Sequence, residues 1–167
     1  MSAQALEAAG VTPGGALTVD GLTFHWPQVA PGSPDNLVAA GQVVQLPAQP
    51  GATRLALLGL ATCGPSAGEG VVRYADGSAE PFTLCLPDWT LNGGRASAVP
   101  ARVAVRMPRR NARNGDLANL ETIVFAAAIP LQPGRTAATV TLSARVDQGA
   151  LHIFALALGA GAGDPPD

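Results

Sequence analysis

Residues Val71 to Trp89 read VVRYADGSAEPFTLCLPDW, and this stretch restricts the fold more than any other. Val72 and Tyr74 alternate with Arg73, Asp76-Gly77 supplies the positive-φ positions of a tight turn, and Phe82, Leu84 and Leu86 alternate with Thr83 and Cys85. The pattern predicts a β-hairpin. A hairpin with one apolar face needs further strands beside and across from it, and the remaining apolar segments have that form.

A second Asp-Gly turn, Asp20-Gly21, separates Leu17 and Val19 from Leu22, Phe24 and Trp26, predicting another hairpin that ends at Pro27. Before it, Ser2 to Ala9 reads as a short helix capped by Ser2 and stopped by Gly10. Residues Leu37 to Leu46 read as one weak strand with a bulge or turn at Gly41. Arg54 to Cys63, RLALLGLATC, is apolar on both faces and suits the middle of a covered sheet. Gly64 to Gly70 reads as a flexible loop, and Asn92-Gly93-Gly94 as a turn. Ala98 to Met107 is a half-buried strand with Val103, Val105 and Met107 inward, while Pro108 to Asn119 is the most polar loop. Strands over Ile123–Ile129, Thr139–Leu142 and Leu151–Leu158 follow, with a turn at Gln132 to Arg135.

The expectation is an all-β fold: an antiparallel β-sandwich of eight to ten strands, of jelly-roll type, with at most one short N-terminal helix. A closed barrel is the alternative. The 167 residues fit one domain over 1–158, followed by a tail or linker over 159–167, GAGAGDPPD. Twenty glycines and 15 prolines agree with many short strands joined by turns.

Net charge is −2, so no positive field collects nucleic acid or an anionic membrane, and no apolar run reaches the roughly 18 residues of a membrane span. The start lacks the pattern of a signal peptide, as a piece cut from a longer secreted chain would. All ten basic residues are Arg, which excludes lysine Schiff-base and P-loop chemistry. Cys63 and Cys85 lack metal-ligand spacing. Two readings stand for them: a disulfide, stabilising by about 3 kcal/mol through a loop of about 22 residues, or free thiols.

Candidates for chemistry are few. The two histidines, His25 and His152, both fall in strands, and no G-x-S-x-G, H-E-x-x-H or Walker pattern is present. Asp35, Asp76, Asp88 and Asp116 occupy turn or loop contexts that explain them without catalysis. The expectation is therefore a non-enzyme, with a small hydrolase as the third choice behind a binding module and a structural module. Arg102, Arg106, Arg109, Arg110 and Arg113 cluster within 12 positions, the last three in the polar loop. Solubility and a polar binding surface both account for them. Trp26 and Trp89 read as sandwich core anchors or, alternatively, as an apolar platform under a sugar ring.

Several segments together resemble accessory β-sandwich domains of secreted actinobacterial glycoside hydrolases: Phe24-His25-Trp26-Pro27, Pro34-Asp35-Asn36-Leu37-Val38, Gly64-Pro65-Ser66, Tyr74-Ala75-Asp76-Gly77-Ser78, Asp88-Trp89, Met107-Pro108-Arg109-Arg110-Asn111 and Leu151-His152-Ile153-Phe154-Ala155. The resemblance implies a galactose-binding-like jelly roll that serves as a secreted carbohydrate-binding module linked covalently to a catalytic domain, a kind of domain that often carries a structural calcium ion. An aromatic residue expected before the Arg-Asn pair is Arg109 here. On this reading Arg110 and Asn111 donate to sugar hydroxyls, Asp35 and Asn36 accept or bind calcium, and Trp26 or Trp89 forms the platform. The alternative is a structural domain packed on a catalytic neighbour without free ligand.

Overall fold

The Val71–Trp89 hairpin forms around its Asp-Gly turn in the computed structural model, which describes residues 1–91, 101–112 and 115–160, with backbone alone between 111 and 119. Its strands are β6 (Ser66–Tyr74) and β7 (Ala79–Leu86), with Arg73 opposite Ala79 and Gly77 at φ 85°. Asp76 Oδ1 accepts from the Ser78 amide at 2.8 Å and fixes the turn. Strict alternation buries Val72, Tyr74, Leu84 and Leu86 on one face.

The other predicted elements fall into place around this pair. Helix α1 (Ala3–Ala8) starts at Ser2, whose hydroxyl caps the Ala5 amide. Strands β1 (Ala16–Val19) and β2 (Leu22–His25) form the second hairpin, with Asp20 and Gly21 both at positive φ as a two-residue turn of this kind requires. The single strand expected over Leu37–Leu46 is instead two, β3 (Leu37–Val38) and β4 (Val43–Gln45), lying in different sheets. The chain changes sheet between them, turning at Gly41 with φ 84°.

β5 (Arg54–Thr62) is the covered central strand expected, buried from Leu55 to Ala61. β8 (Arg102–Ala112) and β9 (Gly115–Pro130) form a long hairpin, followed by β10 (Ala137–Thr141) and β11 (Ala150–Gly159). One sheet has the order β4-β10-β6-β7 and the other β3-β11-β5-β9-β8, every pairing antiparallel. Two separate sheets make an all-β sandwich with jelly-roll crossovers, not a closed barrel. The β1–β2 hairpin and α1 form a partial third layer over the outer face of the five-stranded sheet, β2 against β11 and α1 against β8. This layer explains why β5 is apolar on both faces.

Three further expectations need correction, and the cysteine alternative is decided. Ser66 to Gly70 is strand, not loop: a Cβ on Gly68 would meet the Ser143 Cβ at 2.6 Å, and one on Gly70 the Thr141 carbonyl oxygen at 2.7 Å, so these glycines permit close approach. Pro108 to Asn119 is likewise mostly hairpin, with Arg110 opposite Leu117 and Asn111 opposite Asp116, because a strand at the sheet edge accommodates polar side chains. Bulges in β8 turn Val103 outward, 41% exposed, while Val105 and Met107 stay buried. Cys63 and Cys85 are free thiols. Cys85 alternates with the inward-facing Leu84 and Leu86, so it points away from the core that separates it from β5 and Cys63. The turn expected at Asn92-Gly93-Gly94 lies outside the described residues, and of the tail expected over 159–167, Gly159 is instead the buried end of β11 while 161–167 lie outside them.

Candidate ligand-binding site

Beyond Leu86 the chain leaves the four-stranded sheet and enters the other one between β5 and β9. Trp89 donates its amide to the Ala61 carbonyl at 2.9 Å and accepts from the Ile123 amide at 2.7 Å, prising the two strands apart at this end. Asp88 holds the crossing in place. Only 5% exposed, its carboxylate accepts from the Gly64 amide at 2.8 Å, the Thr90 amide at 2.9 Å and the Thr90 hydroxyl at 2.6 Å. Trp89 is thereby fixed half-buried, and Arg110 reaches over it from β8 with the guanidinium carbon 4.4 Å from the ring centroid. That is a cation–π contact at the sandwich end.

Two of the six expected ligand residues, Trp89 and Arg110, therefore meet. The others do not join them. Trp26 is 4% exposed and stacks on Phe154 with centroids 4.9 Å apart, so it is a core residue with no face free for a sugar. The side chain of Asn111 lies outside the described residues, as does Arg113.

Asp35 and Asn36 belong to a polar chain elsewhere. Asp35 Oδ2 lies 3.3 Å from the Met1 ammonium, and its Oδ1 accepts from Asn36 Nδ2 at 2.9 Å. Asn36 Oδ1 is thus the acceptor facing His152 Nδ1 at 2.8 Å, which assigns the proton to Nδ1 and leaves Nε2 to accept from the Thr62 hydroxyl at 3.3 Å. Burial lowers the His152 pKa below its ordinary value; Asp35 opposes the shift and the terminal ammonium adds to it. Both ring nitrogens are thus hydrogen-bonded. His25, exposed on β2, lies apart.

Asp35 and Asp88 already accept from the chain's own donors, and no group of three His, Cys, Asp or Glu side chains converges among the described residues.

Sequence reasoning missed a cleft between the β1–β2 hairpin and the outer face of the five-stranded sheet, lined by Phe24, Arg54, Ala56 and Arg102 among others. The run Ala126-Ala127-Ala128, small where strands of this sheet are otherwise bulky, was the available signal. No curated protein matches this chain. The family model described as "AziU2-like beta-sandwich domain" matches residues 2–162, nearly the whole length and both sheets with their covering layer, and the chain belongs to that family.

Proposed function

We propose that this domain is a non-catalytic carbohydrate-binding module which holds a glycan at the sandwich end built around Trp89 and Arg110. The observation that carries the reading is the guanidinium seated 4.4 Å over a half-buried indole: a sugar ring takes the place of the guanidinium on the indole, and the displaced Arg110 donates to its hydroxyls. Sugars offer a matching pair of features, a C–H face and vicinal hydroxyls. Family membership supports a β-sandwich domain and leaves the link to secreted glycoside hydrolases, with a catalytic domain in the same chain, as part of the proposal.

The non-catalytic half rests on how the reactive groups are used. His152 is held by Asn36 and Thr62 on a sheet surface, and the Asp88 carboxylate is spent on turn amides. A glycan array of plant, fungal and bacterial sugars, run with calcium and with a chelator, tests the proposal. Binding to one glycan class that disappears in both Trp89→Ala and Arg110→Ala is expected. Silence across the array overturns it.

One observation favours a second reading, a structural domain that packs on a neighbour. Leu37 and Val38 are each 46% exposed and Val43 60%, on strands at the same side of the two sheets, so the apolar exposure lies at a sandwich edge and not on a sheet face. Val38→Asp with Val43→Asp would then weaken attachment to the neighbour, read as faster proteolysis between domains, while leaving glycan binding intact.

A further inference from the structure

At the far end of β5 from Trp89, the β1–β2 hairpin stands off the sheet and encloses a cleft of about 410 Å³. That volume lies within the range of small-molecule sites. Leu22, Phe24, Ala56 and Ala126 form its buried backing, and the apolar surface open to a ligand is Val19, Ala101, Ala127 and Ala128. Interiors close-pack, so small residues under a bulky hairpin leave a space that larger neighbours such as Phe125 and Ile129 would fill. Among the described lining residues, the charged side chains Asp20, Arg54 and Arg102 sit together at the mouth, and the rest of the lining is apolar.

Its mouth is positive. Arg102 Nε reaches Asp20 Oδ2 at 3.1 Å, an exposed ion pair that straddles the opening from β8 to the hairpin turn. Arg54, half-buried, donates through Nη2 to the carbonyls of Asp20 and Ala160, each at 3.1 Å. Its Nε is shut away from solvent with no acceptor, and among the described residues no carboxylate lies within ion-pair distance of it. Among the described residues, two guanidinium groups face one carboxylate. The local surplus is a single positive charge beside an apolar hollow, and a half-buried guanidinium gains most from a planar anion that matches its fork.

We infer that this cleft binds a small amphipathic monocarboxylate, its hydrocarbon part against Val19, Ala101 and Ala128 and its carboxylate at Arg54 and Arg102. Arg102 exchanges Asp20 for the ligand, a change that opens the mouth without moving the sheet. The site shares no residue with the Trp89 end, so each proposal stands or falls separately.

Titration of the full chain with octanoate and 3-phenylpropanoate, against octan-1-ol and octylamine, followed by amide NMR shifts, tests the inference. Saturable binding of a carboxylate at submillimolar concentration is expected, at least tenfold tighter than the alcohol, with no saturation by the amine. Arg54→Met should bring carboxylate and alcohol to within a few-fold of each other. Ala128→Leu, at an exposed position on the rim that leaves the core alone, should block both, with the fold checked by circular dichroism. Absence of saturable carboxylate binding, an alcohol bound as tightly as the carboxylate, or unchanged binding by folded Ala128→Leu each overturns it.

Discussion

The guanidinium of Arg110 sits 4.4 Å from the centre of the Trp89 ring, joining the edge strand β8 to a segment that arrived from the opposite sheet. Contacts of this type contribute about 0.5–1 kcal/mol when exposed and about 2 kcal/mol when desolvated. A double-mutant cycle on Trp89→Leu and Arg110→Met should give a coupling of about 1 kcal/mol by urea unfolding. Arg110→Met alone should also change the fluorescence of Trp89, whereas Trp26, stacked on Phe154, stays constant. Additive single effects would show that the pair is adjacent without interacting.

Asp88 is the anchor of the same segment. Its replacement by Ala leaves the part-buried Gly64 and Thr90 amides without this acceptor and should lower stability by about 1–2 kcal/mol. Asp88→Asn keeps one acceptor oxygen and should lose less. A full retention of the urea midpoint in Asp88→Ala would remove this residue from the account of how Trp89 is placed.

Glycines at 70 and 77 should fail for different reasons. Gly77, at φ 85° with open space around a notional Cβ, should lose about 1–2 kcal/mol on substitution by Ala, the conformational term alone. Gly70 has the Phe82 ring and, at 2.7 Å, the Thr141 carbonyl in the way, so Gly70→Ala should cost about 3 kcal/mol or more. Denaturant midpoints of the two variants rank them. Equal losses would contradict the close-packed reading of β6.

His152 predicts a pH dependence. Its pKa in the fold is lowered, chiefly by burial, so the unfolded chain takes up a proton more readily than the folded one. The contribution is complete above the ordinary histidine value of about 6.5 and is lost as pH falls through the lower folded value. Stability should therefore decline from pH 7.5 to 5, and His152→Gln should flatten that decline. An NMR titration midpoint above 6.5 for the His152 ring would reverse the sign and refute the prediction.

Both cysteines being free, reductant should leave the melting temperature unchanged. A thiol reagent should label exposed Cys63 before half-buried Cys85. A reductant-dependent drop would mean that a disulfide forms in solution.

Local signals carried most of the fold. Asp20-Gly21 and Asp76-Gly77 set two hairpins, and the double-faced apolarity of residues 54–63 placed the central strand. What failed were readings of composition as conformation. Gly68 and Gly70 looked like looseness, yet they are small because Ser143 and Thr141 press against them, a relation between strands about seventy residues apart in sequence. The arginines after Met107 looked like a loop because a polar edge strand and a polar loop share their residues. Trp89 and Arg110 were visible singly as candidates. Their contact was not, since it depends on a crossing between sheets that Asp88 stabilises. Trp26 shows the reverse, a residue whose burial against Phe154 only the third layer decides.

The outermost strands of this sandwich carry their own deterrents. β3 and β4 are two and three residues long, β7 contains Pro81 with no N–H to offer a newcomer, and β8 sets Pro108 among four arginines. Each rim is thus a poor template for another molecule's backbone. The arginine row on β8 serves as a fence against fibre-like stacking, so trimming it to neutral residues would threaten solubility at high concentration even where every fold contact survives.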